Sequence, residues 1–147
     1  MRQIKKSIQI HAPKEKVWDV LLGTDTYPVW AAAFMEGSTA VTDWHEGGTA
    51  LFLDPSGSGM ASRITSHVIA DHIIIEHLGI VGGGQEDYDS KEAREWRGAN
   101  ESYFVSEHDG ITTLIIESDM PEAYYDMLDK SWDKALLIVK ELSEKAH

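Results

Sequence analysis

The residues best suited to chemistry lie in one stretch, DHIIIEHLGIVGGG, at 71–84. It holds two histidines and a glutamate, which are side chains that can carry protons near neutral pH, followed by three glycines. Its isoleucine-rich part is typical of a β-strand, in which successive side chains point to opposite faces. Glu76 and His77 therefore cannot face the same side as an acid–base dyad. His77 shares its face with Ile75, and we expect that face to point inward.

A second strand is predicted at 60–69, and it places hydroxyl groups on one face. Ser62, Ile64 and Ser66 alternate along that face, whereas the opposite face carries an arginine, a threonine and a histidine. Charge favours burial of the first face. Ser62 and Ser66 are therefore predicted to point into the interior with His77.

Other signatures of catalysis or cofactor binding are missing from the sequence. The absence of cysteine excludes thiolate nucleophiles, disulfides and cysteine zinc sites. His67, His72 and His77 alternate between strand faces, so we expect no metal site and no cofactor. The glycines at 82–84 lack the following Lys-Ser/Thr of a phosphate-binding loop, and we interpret them as a hinge.

Hydrophobic periodicity orders the elements that must position these side chains. Two short helices follow the first strand, and the second of them carries Trp30 inward. Asp119, with a glutamate three residues later, is predicted to cap a long amphipathic C-terminal helix that includes Met127, Leu128 and Trp132. Short turn signals separate the strands, which favours antiparallel pairing. The predicted strands are 3–11, 38–44, 48–54, 60–69, 72–79, 99–107 and 111–118.

The connection from 79 to 98 is unusually long for a compact domain. A short helix is predicted within it at 90–96. Connections of this length are often lids or binding loops, so we expect Tyr88 and Trp96 to help close the mouth of a cavity.

Composition limits the classes of partner. The chain has 13 basic and 25 acidic residues, a formal charge of −12, which disfavours nucleic acid and membrane surfaces as partners. Its 147 residues are predicted to form a single domain, 1–147. Because no apolar run has the length of a signal peptide or a membrane span, we expect a cytoplasmic protein.

Several sequence blocks resemble a known superfamily. They are APKEKVWDVL, the tryptophan of TYPVW, DWHEGGTALFLDPSGSGMASRI, EHLG, EWRGANESY and SWDKALLIVKELSEK. Together they resemble the START-like, or SRPBCC, helix-grip superfamily, and in particular its branch related to the C-terminal domain of the heat-shock chaperone ATPase activator. The resemblance implies an α+β fold. In it, a seven-stranded, curved antiparallel sheet wraps around a long C-terminal helix, with two short helices after the first strand.

The helix-grip register implies a polar constellation in a hollow between the sheet and the helix. It turns Glu101 and Tyr103 inward on one strand, and Leu114 and Ile116 inward on the next. His77, Glu101 and Tyr103 are then the candidate catalytic residues. The expected ligand-binding set is Trp30, Ser62, Ile64, Ser66, Ile75, His77, Glu101, Tyr103, Leu114, Ile116, Met127, Leu128 and Trp132.

Three functions are compatible with these features. The first is binding of a small, largely hydrophobic molecule in the hollow, without a cofactor. The second is a cofactor-free cyclase, dehydratase or hydrolase that uses His77, Glu101 and Tyr103; loss of turnover with retained binding in Glu101→Gln would distinguish it. The third is a chaperone partner, which only the resemblance implies.

Overall fold

The computed structural model describes residues 1–145 as one α+β unit. The helices are α1 (Lys14–Leu22), α2 (Tyr27–Ala31), α3 (Lys91–Trp96) and α4 (Tyr125–Glu144), with a 3-10 turn at Glu122–Tyr124 before α4. The strands are β1 (Arg2–Ile10), β2 (Thr39–Val41), β3 (Thr49–Leu53), β4 (Gly59–Val68), β5 (His72–Gly82), β6 (Gln85–Asp87), β7 (Asn100–His108) and β8 (Ile111–Met120).

All strands join one curled antiparallel sheet. Its main path runs β1-β8-β7-β5-β4-β3-β2, which confirms the seven predicted strands and their antiparallel pairing. An eighth strand, β6, pairs with the end of β5. It lies in the segment predicted as a long connection, where the helix expected at 90–96 forms at Lys91–Trp96.

The glycine run forms a turn and not a hinge. Gly82 pairs with Gln85, so Gly83 and Gly84 are the two-residue loop of the β5–β6 hairpin. Their φ angles of +57° and +83° suit a turn that needs a left-handed backbone at both positions, which only glycine adopts easily.

The long helix lies against the concave side of the sheet through one stripe. Trp132, Ala135, Leu136 and Val139 are buried along it at helical spacing. Its predicted start at Asp119 is wrong, because β8 continues to Met120 and helical turns begin only after Pro121. The Asp119 carboxylate instead accepts a hydrogen bond of 3.0 Å from the backbone N–H of Asn100.

A bulge in β4 reverses the expected orientation of its second half. Ile64 pairs with Ile75 and Ser66 with Ile74, so Thr65 is an extra residue with no paired position on β5. Ser66 consequently faces outward, where its hydroxyl lies 2.8 Å from His72 Nε2. The prediction that Ser66 points into the interior is wrong for this reason.

No helix within residues 1–145 is both long enough and apolar enough to cross a membrane.

Candidate functional site

A cavity of about 260 Å³ lies at one end of the space between the sheet and α4. Residues from α2, the β3–β4 hairpin, β5, α3, β7, β8 and α4 line it. The middle of the same space is filled, because Trp30, Trp132 and Tyr103 pack against one another with ring centroids 6.0–6.2 Å apart. The hollow therefore lies at one end of this space, beside the packed rings.

Six aromatic side chains form most of the apolar lining, here called the aromatic wall: Tyr27, Trp30, Phe34, Phe52, Trp96 and Trp132. Trp30 and Trp132 stack at 6.0 Å, and Phe34 meets Trp132 edge-on at 4.9 Å. Trp30 is held in place by a hydrogen bond of 3.2 Å from its Nε1 to the carbonyl of Leu21. This cross-bracing keeps the wall rigid.

His77 brings an imidazole to the cavity from β5. Its backbone bonds to the corner after α3, with His77 N–H donating to Ala99 O at 2.8 Å and Gly98 N–H donating to His77 O at 2.9 Å. The same corner places the Trp96 ring edge-on to the imidazole, with centroids 6.0 Å apart. Ser62 Oγ lies 2.7 Å from His77 Nδ1, on the side away from Glu101.

Glu101 completes a polar pair with His77 on the cavity surface. Its Oε1 lies 3.9 Å from His77 Nε2, too far for a hydrogen bond but close enough for one ligand atom to contact both. The Tyr103 hydroxyl donates a hydrogen bond to the other carboxylate oxygen and so orients the group. Tyr103 itself is 1% exposed and lies behind the wall.

Burial opposes charge on both members of the polar pair. It lowers the pKa of His77 from 6.5 to about 4, against an opposing effect of the Asp119 carboxylate. It raises the pKa of the Glu101 carboxyl, against the hydrogen bond from Tyr103. His77 is therefore neutral at pH 7. The tautomer with hydrogen on Nε2 suits an ionised Glu101, because the Ser62 hydroxyl can then donate to Nδ1.

Solved structures with this architecture exist, although no family model and no curated protein matches the sequence. Protein MLL2253 from Mesorhizobium loti has a TM-score of 0.76 at 11% identity, with 99% of each chain covered. The Aha1 dimer from Colwellia psychrerythraea has a TM-score of 0.71 at 17% identity, covering 98% of this chain and 97% of that one.

A third structure comes from a biosynthetic locus. DynU16, from the dynemicin biosynthetic locus, has a TM-score of 0.68 at 14% identity and covers 97% of this chain. This chain spans about half of DynU16, 47% of its length. The chain has the START-like helix-grip fold. Identities this low establish the helix-grip fold alone, since one fold hosts many functions.

The helix-grip fold brings part of the expected binding set to the cavity surface. The residues on that surface are Trp30, His77, Glu101, Leu128, Trp132 and the expected lid residue Trp96. A further group is buried behind the surface, within or beside the core: Ser62, Ile64, Ile75, Tyr103, Leu114 and Ile116.

Three expected residues point elsewhere. Ser66 faces outward after the β4 bulge. Met127 is 57% exposed, because it lies on the solvent side of α4 next to the lining residue Leu128. Tyr88 packs over Gly79, where a Cβ would lie 2.6 Å from the tyrosine ring, and it does not line the cavity.

The expected binding set omitted several lining residues. Tyr27 and Phe34 share a helical face with Trp30, at spacings of three and four residues, and this periodicity predicts that they point inward. The helix-grip register likewise implies an inward Ser118, whereas the orientation of Phe52 was not predicted. Among residues 1–145, no three His, Asp or Glu side chains converge as metal ligands would.

Proposed function

We propose that this chain binds a small, largely apolar molecule in the cavity beside α4. The observation that carries the proposal is an unfilled space of about 260 Å³ whose wall is mostly aromatic and whose polar pair faces inward. Ligand sites commonly combine an apolar lining with a few convergent polar groups. The volume lies slightly below the range of about 300–1,000 Å³ typical of drug-sized ligands, which favours a small guest.

The rigidity of the aromatic wall supports binding over simple packing. Each wall ring is braced by at least one other ring, so the cavity does not depend on a ligand to hold it open. A preformed site avoids the entropic cost of ordering side chains on binding.

Filling the cavity from α4 tests the proposal. Leu128→Trp adds an indole at the lining, whereas Leu137→Trp makes the same change at a site that is 57% exposed on the same helix. Native mass spectrometry of the purified protein detects any co-purified molecule, and titration with 4-phenylbutanol, a neutral amphiphile, measures the capacity for binding. We expect binding in the wild type and Leu137→Trp, and its loss in Leu128→Trp. Equal binding by both variants would place the guest outside the cavity and refute the proposal.

A proton-transfer enzyme is the second candidate, and the polar pair favours it. A carboxyl with a raised pKa beside a neutral imidazole can hand a proton to a bound molecule and take one back. Incubating any ligand recovered by mass spectrometry with fresh protein tests this role. A product that accumulates with time, and that fails to appear with His77→Gln, would support catalysis. Recovery of the ligand unchanged would leave the chain as a binding protein.

A further inference from the structure

The cavity is lined by two carboxyl groups, Glu101 and Asp54, and, among the described residues, by no cationic side chain. Burial raises the pKa of one of them, Glu101, and a bound cation would favour its ionised form. Hydrogen bonds from Ser56 and Ser58 lower the pKa of Asp54 and keep it ionised. An anionic ligand would therefore enter a site that already repels it.

Glu101 also lacks a cationic partner of its own. Within residues 1–145, its side chain pairs with no Lys or Arg nitrogen, and its neighbours are the Tyr103 hydroxyl and His77 Nε2 at 3.9 Å. The imidazole does not supply a charge, because burial keeps it neutral at pH 7. By contrast, the half-buried carboxylate of Glu144 pairs with Lys140 Nζ at 2.6 Å.

The surfaces around Glu101 suit a cation. Trp96, Phe52 and the other rings of the aromatic wall present π systems to the cavity, and π faces attract ammonium groups most strongly where water is excluded. His77 can adapt to the same group. With hydrogen on Nδ1, its ring donates to Ser62 Oγ and leaves Nε2 free to accept a bond from an ammonium.

We propose that the ligand is an organic cation, a protonated amine with an apolar body, whose nitrogen binds between Glu101 Oε1 and His77 Nε2. This inference rests on the proposed ligand-binding function and adds the chemical class of the ligand. An atom placed 2.8 Å from both oxygen and nitrogen is geometrically possible, because the two are 3.9 Å apart. The apolar body then lies against Trp30 and Trp132.

Three probes of the same shape and different charge separate the possibilities. They are 4-phenylbutylamine, 4-phenylbutanol and 4-phenylbutanoate, titrated at pH 7 by calorimetry or ligand-observed NMR. We expect the amine to bind at least tenfold more tightly than the alcohol, and the carboxylate to bind most weakly. A tightest-binding alcohol or carboxylate would overturn the cation inference while leaving cavity binding intact. If none of the three binds, both proposals fail.

Two glutamine variants show where the charge that selects the amine resides. Glu101→Gln removes the carboxylate beside His77 and leaves Asp54 in place. Glu76→Gln makes the same change on the other face of β5, where Glu76 Oε1 pairs with Arg63 at 3.6 Å. We expect Glu101→Gln to bring the affinity for the amine within threefold of that for the alcohol, and Glu76→Gln to preserve the tenfold preference. Unchanged affinity for 4-phenylbutanol shows that each variant retains its cavity. An amine preference that survives in Glu101→Gln would trace to Asp54 or to the net charge of −12, and would refute the inference that the amine binds at Glu101.

Discussion

Replacing His77 with glutamine removes an imidazole whose protonation the fold resists. In the unfolded chain this group binds a proton near pH 6.5, but burial lowers its pKa in the folded protein to about 4. Between these values the unfolded state binds more protons, so stability falls as the pH falls through that window. Above pH 6.5 the imidazole is neutral in both states, and it contributes no pH dependence.

The size of the effect follows from the difference between the two pKa values. A pKa of 6.5 in the unfolded chain and of about 4 in the folded protein corresponds to a stability difference of about 3 kcal/mol, at about 1.36 kcal/mol per pH unit. The wild type should therefore lose about 3 kcal/mol more stability than His77→Gln between pH 7.5 and pH 4. Acidic groups elsewhere also titrate in this range, but they are common to both proteins and cancel in the comparison.

Urea unfolding, followed by tryptophan fluorescence, measures the free energy of unfolding at each pH. His108→Gln is the matched control, because the His108 side chain is 94% exposed. We expect this variant to lose as much stability with acid as the wild type does. If His77→Gln and the wild type lose stability in parallel, then His77 ionises freely in the folded state. Burial would then not hold His77 neutral.

Two further substitutions test the site and the sheet. Glu101→Gln should raise the thermal midpoint at pH 8 and change it little at pH 4. Burial raises the pKa of this carboxyl, so the stability that it contributes in its protonated form is lost as the pH rises; an equal effect at both pH values would contradict this. Gly59→Ala should destabilise the protein by roughly 3 kcal/mol, because its Cβ would lie 1.7 Å from the carbonyl oxygen of Phe52. Gly82→Ala, whose Cβ would meet nothing within 4 Å, should stay near the wild type in the same urea titration.

Local patterns were enough to predict the helices and every strand except β6. The alternating strands and the helical stripe of α4 depend on neighbours within a few residues, and these appear in the structure at nearly the expected positions. The helix start at Asp119 failed because Pro121 delays the turn and β8 keeps Asp119 in the sheet. A helix-capping pattern spans only a few residues, so it takes no account of the pairing of β8 with strands that are distant in the sequence.

The register of β4 shows a different limit. Alternation placed Ser62 and Ser66 on one face, which is correct only for Ser62, since Thr65 is inserted between the pairs that β4 makes with β5. A bulge depends on how two strands pair, so the sequence of one strand alone does not predict it. The same insertion turns His67 inward, where its Nε2 accepts a hydrogen bond of 3.2 Å from Trp18 Nε1.

The sequence by itself determined the order and type of the elements and, through the resemblance, the helix-grip architecture. It did so because hydrophobic periodicity and turn chemistry act over short distances along the chain. Only the tertiary structure decided which inward residues face open space. Trp30 and Trp132 stack and fill the middle of the space between the sheet and α4, so Leu114 and Ile116 lie in the core. His77 and Glu101 lie at the open end of that space. Which residues face the cavity depends on how α2 and α4 pack against each other, and this packing brings together residues about a hundred positions apart in the chain.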